Sequence, residues 1–128
     1  MINDNVVEQK SFNFAIRIVN LYRHLLSEFK EYTISKQILR SGTSIGANVA
    51  EAIQAQSRPD FVSKLNIALK ESTETKYWLK LMKATGYLTD KEYYSLFDDC
   101  TEIEKILTTI IKTTKKNSTK DLKRKITD

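Results

Sequence analysis

Turn-forming residues are scarce in this chain, with 3 Gly and 1 Pro among 128 residues. A sandwich or barrel needs many more tight turns, so the composition points to an all-helical protein. Cys100 is the lone cysteine, which excludes an intrachain disulfide. No apolar run approaches the roughly 20 residues needed to cross a bilayer, and no membrane partner is expected. The polar opening Met1-Ile2-Asn3-Asp4-Asn5 does not resemble a signal peptide, so the cytoplasm is the expected compartment. The chain also has a single histidine, His24. A Ser-His-Asp or Cys-His arrangement would need His24 beside Cys100 or a serine, with a carboxylate such as Glu28 to orient it. Histidine at the edge of an amphipathic helix is ordinarily a boundary residue, and a thiol on an apolar face is ordinarily buried and inert. Glu-x-x-His, the motif of carboxylate-bridged metal sites in helix bundles, does not occur. The expectation is a protein without catalytic residues, metal or cofactor.

What the chain has instead is positive charge at one end. The formal net charge is +5. From Lys112 onward seven basic residues (Lys112, Lys115, Lys116, Lys120, Lys123, Arg124, Lys125) stand against Asp121 and Asp128, so this end carries the whole excess. Such a segment can condense on phosphates by counterion release, without sequence preference, or it can simply be a solvated, frayed helix end. Lys36, Arg40 and Arg58 are the basic residues that could extend it into a phosphate track. Other basic residues are dispersed among acids, and the few aromatic residues read as core or interface, so base stacking is not indicated.

Apolar periodicity defines four helices. The first spans about residues 6 to 31, with Phe14, Ile18, Leu21 and Leu25 on one stripe and Ile16, Val19, Leu26 and Phe29 on another. That arc is wider than one packing face needs, which suggests contact with another subunit. Thr33 or Ser35 is positioned to cap the second helix, which runs to about Gln56. Ser57-Arg58-Pro59 starts the third, because Pro suits the first turn of a helix. Gly86 is placed as the left-handed cap that ends it, and Thr89 to Glu92 forms a capping-box pattern for the fourth. The apolar pattern of the fourth helix stops at Lys112. The expected organisation is therefore one bundle over residues 1–112 and a basic, frayed or flexible tail over 113–128.

Gly42, Gly46 and Ala50 recur every four residues in the second helix and form a groove without side chains. Two glycines inside a helix each cost roughly 1 kcal/mol relative to alanine, so close packing is their expected compensation. The small residues Ala68, Ser72 and Thr75 in the third helix suit that groove, and the two helices are expected to pair antiparallel through it. Gly42-x-x-x-Gly46 is not a phosphate loop, since it sits within helical periodicity and lacks the strand and the Lys-Ser/Thr such loops need. Asn48 and Glu51 on the second helix and Glu71 and Glu74 on the third are placed to form a polar cluster, whose simplest role is to fix register.

The run Gln37-Ile38-Leu39-Arg40-Ser41-Gly42-Thr43-Ser44-Ile45-Gly46-Ala47-Asn48-Val49-Ala50-Glu51-Ala52 resembles the core motif of the small bundle proteins encoded in intervening sequences of bacterial 23S ribosomal RNA genes. A second run, Phe61 through Leu79, is similar to that family's third helix, and Gly86-Tyr87-Leu88 to the turn that follows it. Gly46 stands where many members have proline and Ala52 where they have glycine. The resemblance implies an antiparallel up-down four-helix bundle assembling into a ring-like homopentamer, with no catalytic residues. The chain is also similar to the accessory protein of diversity-generating retroelements, a basic pentamer that binds nucleic acid and a reverse transcriptase. Two functions follow as expectations: an oligomeric, non-enzymatic scaffold for RNA or DNA, or an adaptor whose bundle ring holds a protein partner.

Overall fold

The computed structural model describes residues 2–127. They form four helices: α1 (Ile2–Phe29), α2 (Ile34–Ile53), α3 (Arg58–Ala84) and α4 (Asp90–Thr127). Met1 and Asp128, the outer ends of the two expected segments, lie outside the described residues. Each helix packs on its neighbours in the chain, α4 closes back onto α1, and among the described residues the backbones of the diagonal pairs do not approach closely. Cross-contacts give the directions. Gly42 faces Ile18 while Gly46 faces Ser11, so α1 and α2 are antiparallel. Arg40 reaches Glu71 while Glu51 reaches Lys64, so α2 and α3 are too. Lys83 meets Asp90 while Arg58 meets Asp121, and Lys10 meets Glu102 while Arg17 meets Asp99, which sets α4 against both α3 and α1. The protein is an antiparallel up-down four-helix bundle.

Local chemistry sets most helix ends as the sequence implies. The Ser57 hydroxyl accepts from the Asp60 amide at 3.2 Å, with Pro59 in the first turn of α3. Gly86 has φ 88°, and Gly86 and Tyr87 amides donate to the Lys83 and Met82 carbonyls, closing α3 in a left-handed cap. The Glu92 amide donates to the Thr89 hydroxyl at 3.2 Å while Glu92 Oε1 accepts from the Thr89 amide at 2.8 Å, completing the capping box of α4. The start of α2 differs from expectation. Thr33 occupies the cap position without a side-chain cap bond. The buried Glu31 carboxylate instead accepts from the amides of Thr33, Ile34 and Ser35, and the Ser35 hydroxyl donates back to the Glu31 carbonyl at 2.8 Å. A carboxylate set in the loop before the helix reaches three free amides at once, which no single hydroxyl can do. α2 also ends three residues early, at Ile53 rather than Gln56.

The core follows the periodicity. Phe14, Ile18 and Leu25 of α1, Ile38 and Ile45 of α2, Leu65 and Leu79 of α3, and Ile103 and Leu107 of α4 are all essentially sealed from solvent. The α2–α3 seam carries one buried polar contact, the Thr75 hydroxyl donating to Ser41 Oγ at 3.0 Å. The glycine groove is the main correction. It faces α1, not α3: a Cβ on Gly42 would lie 2.8 Å from Ile18 Cγ1, and one on Gly46 would lie 3.2 Å from the Ser11 carbonyl oxygen. Ala68, Ser72 and Thr75 are buried as expected, but Thr75 meets Ser41 of α2, off the glycine face, and Ser72 turns to α4, where its hydroxyl donates to Glu104 Oε2 at 3.1 Å. Ala50, the third groove residue, is exposed and borders a surface groove with Phe12, Ala15, Gly46 and Ala47. Thr114 is still buried beyond Lys112, and the helix runs on to Thr127.

Candidate nucleic-acid interface

Helical geometry organises the basic residues of α4. Each residue turns roughly 100°, so Lys112, Lys116, Lys120 and Lys123 recur every three or four positions along one side, with Arg124 at the edge of the same arc. Ile110, Ile111 and Thr114 are buried on the opposite side, so the column faces outward. All seven basic side chains from Lys112 to Lys125 are exposed. From Lys112 to Arg124 the column is about 18 Å long at 1.5 Å per residue. Among the described residues, no ion pair engages any of the seven.

In the body, seven of the fourteen basic side chains are tied to acids on neighbouring helices. Lys10 pairs with Glu102 and Arg17 with Asp99 between α1 and α4. Lys76 pairs with Glu104 at 2.8 Å, Lys83 with Asp90 and Arg58 with Asp121 between α3 and α4. Lys64 pairs with Glu51, and Arg40 with both Glu71 and Glu74, between α2 and α3. Such half-exposed pairs add little stability each, but they neutralise local charge.

This pairing sorts the expected phosphate contacts. Arg58 is brought to the tail, where Asp121 holds its guanidinium. Lys36 and Arg40 are not. They sit on α2, diagonally across from α4, and Lys36 in the first turn of α2 is roughly 25 Å along the axis from the α2 end that neighbours Arg58. The expected polar cluster also divides. Glu71 and Glu74 converge on Arg40, and Trp78 Nε1 donates to Glu74 Oε2 at 3.1 Å. These bonds hold the Glu74 carboxyl below the usual carboxylate range, the indole bond contributing most and Arg40 next. Glu51 pairs with Lys64 instead, and Asn48 donates to the Ser44 carbonyl of its own helix at 2.8 Å.

The remaining candidates for chemistry are apart. His24 is exposed and packs edge-on against Phe29, with ring centroids 5.8 Å apart. Cys100 is fully buried on α4, its thiol donating to the Ser72 carbonyl, and burial pushes its pKa up to about 12. Among the described residues no three His, Cys, Asp or Glu side chains gather as metal ligands. Among the described residues, no helix is long and apolar enough to cross a membrane.

One feature is invisible to a reading of charge runs. Lys70, isolated in the sequence, lines a cleft between α3 and α4 together with Arg58 and Lys115. Only the antiparallel pairing of α3 and α4 brings these residues together. A spacing rule applied within α3 offers no sign of it.

Fold and surface thus define a class, the small antiparallel helical bundle with a basic fourth helix. Residues 3–109 match the 23S rRNA-intervening sequence protein family, and the chain belongs to that family. It is similar to the crystal structure of a protein of unknown function from the S23 ribosomal protein family of Bacteroides thetaiotaomicron. Identity is 63%, with a TM-score of 0.85, over 86% of this chain and 98% of that one. No curated protein matches the chain.

Proposed function

We propose that this protein is a non-enzymatic, oligomeric scaffold that binds nucleic acid, RNA in the first instance, through α4. One observation carries the reading: the body ties many of its cations to acids on adjacent helices, whereas the seven at the end of α4 have no acidic partner among the described residues. Unpaired cations on a helix are screened weakly by the protein itself, so they condense on a phosphate backbone and release its counterions. Several copies in one assembly multiply weak contacts by avidity. Support for assembly comes from the side of the bundle formed by α1 and α2. Phe12 is 62% exposed and Ile16 47% exposed, and Phe12 borders the groove that ends at Ala50. An apolar face of that kind suits a subunit contact, and the family resemblance implies a homopentamer. The same face favours the second reading, an adaptor that holds a protein partner while the basic end only solubilises.

The experiment is binding of duplex RNA and duplex DNA at several salt concentrations, with mass in solution from light scattering. Seven phosphate contacts on duplex DNA predict a logarithmic salt slope near −6, a loss of roughly 10³–10⁴ in affinity between 50 and 200 mM salt. Replacing Lys112, Lys116, Lys120 and Lys123 by alanine should make that slope shallower by about 3.6. Truncation after Lys112 is a poorer test, since it also removes the buried Thr114. An oligomer that binds neither duplex at low salt would leave the adaptor reading.

A further inference from the structure

The α3–α4 cleft has a chemistry that the outward column lacks. About 770 Å³ of open space lies between the first turns of α3 and the segment of α4 around Lys115. Ser63 and Asn66 of α3 face Ser118 and Thr119 of α4 here, side chains too short to close the gap. Lys70 and Lys115 supply positive charge, the charge of Arg58 being balanced by Asp121, while Pro59, Val62 and Ile67 complete the lining and none of the lining residues is acidic. Lys70 and Lys115 have no ion-pair partner among the described residues, and Arg58 is held in place by Asp121. No aromatic ring lines the cleft.

Each of these properties selects a ligand. An unpaired lysine on each wall and no acid in the lining favour an anion long enough to meet both. Hydroxyl and amide donors between the cations suit an anion with many acceptor oxygens, such as a row of phosphodiesters. The lack of a ring removes the stacking platform on which single-stranded readers depend, so the contact is to backbone and not to bases. The cleft also adjoins the outward column. Lys115 and Thr119 lie on α4 within roughly 60° of arc from Lys112 and Lys123, so the two surfaces are continuous around the helix.

Resting on the nucleic-acid reading above, we propose that a duplex phosphate backbone seats in this cleft. Lys70 of α3 and Lys115 of α4 grip it from opposite walls, and Ser63 and Asn66 donate hydrogen bonds between them. The fourth helix is then not a loose basic arm. It is one wall of a two-helix phosphate seat, and α3 contributes to affinity through a residue outside the basic segment.

The test uses the full chain and blunt 24-base-pair duplexes of RNA and of DNA, read by fluorescence anisotropy at several salt concentrations. Three variants are compared after thermal melting has shown that each is folded: Lys70→Ala, Asn66→Asp, and Lys116→Ala with Lys120→Ala. Loss of one phosphate contact predicts about eightfold weaker binding to the DNA duplex at 100 mM salt and a slope shallower by about 0.9. Lys70→Ala should show that loss. Asn66→Asp, nearly the same size, places a negative charge where the backbone would lie and should weaken binding at least as much. The column variant should lose about sixtyfold. If the column variant loses affinity while Lys70→Ala and Asn66→Asp bind as the parent does, the cleft is overturned and the broader reading stands. If the parent binds neither duplex at low salt, both fall together. If a polyglutamate of equal charge competes as well as duplex, the cleft takes an acidic protein segment and the phosphate assignment is overturned.

Discussion

Gly42→Ala should change sign with the residue opposite it. In the native background the new methyl would lie 2.8 Å from Ile18 Cγ1 and 2.9 Å from Cγ2. Ile18 is fully buried, and both atoms branch from its Cβ, so no rotation moves one away without presenting another. The α1 and α2 backbones must separate instead. Overpacking of this kind costs about 1–3 kcal/mol. Alanine recovers roughly 1 kcal/mol of helix propensity relative to glycine, leaving a net loss of about 0–2 kcal/mol. Ile18→Ala alone costs about 2–5 kcal/mol through the cavity it leaves. In that background the clash is gone and the propensity gain remains, so Gly42→Ala should stabilise by about 1 kcal/mol. Urea denaturation followed by ellipticity, at one fixed protomer concentration because assembly adds apparent stability, measures all four proteins. The close approach of α1 to α2 is refuted if Gly42→Ala stabilises the parent, or if its effect is the same in both backgrounds. Gly46→Leu should also destabilise, since its Cβ meets the Ser11 backbone, which cannot rotate aside as a side chain would.

Three further outcomes are expected. Glu31→Ala strips the carboxylate that three amides of α2 share and should cost about 1–2 kcal/mol in a urea titration, more than Thr33→Ala, which removes no cap bond. Glu74 has a pKa lowered from 4.5, so the unfolded chain binds its proton more tightly than the folded one. Its contribution is complete above about pH 4.5 and lost as the pH falls through the folded value, so the stability difference between the parent and Glu74→Gln should be present at pH 7 and shrink progressively as the pH is lowered below 4.5. Cys100, with its pKa pushed up to about 12 by burial, should resist thiol reagents at pH 8 and react only at the rate of unfolding, whereas a Cys100 that reacts at once would be exposed.

The sequence made the four helices legible because their stripes are long and their ends carry residues with one strong local use. Ser57-Arg58-Pro59, Gly86 and Thr89 with Glu92 act within a few residues of themselves, so no tertiary knowledge is needed to read them. The glycine groove shows where that locality stops. Periodicity states that Gly42 and Gly46 share a face of α2, but two neighbours compete for that face. Ala68, Ser72 and Thr75 looked complementary because they are small, yet the residue that fills the groove is Ile18, a large side chain opposite a small one. Facing size alternation packs more densely than small against small. The cap of α2 was missed for a similar reason, since Glu31 lies two residues before Thr33 and reaches forward through a loop that a fixed-offset rule does not scan. Beyond Lys112 the chain has few apolar residues to read, and there α4 keeps one buried residue, Thr114, and one ion pair to α3, Arg58–Asp121.

The interface was less legible than the fold because its determining property is which cations are left without a partner. Arg40 and Lys70 are indistinguishable by composition, each a basic residue on the exposed side of a helix. Arg40 lies opposite Glu71 and Glu74 once α2 and α3 pair, and its charge is neutralised between the helices. Lys70 is one residue before Glu71 and is turned by about 100° from it, so it points away from Arg40 and into the cleft toward α4. Charge counts along the chain cannot see that difference, since it depends on the partner helix each side chain meets. On the proposed cleft, α3 carries part of the affinity as well as α4. A basic tail acting alone would bind as strongly when grafted onto another bundle, whereas a seat with walls from two helices loses affinity when either wall is altered.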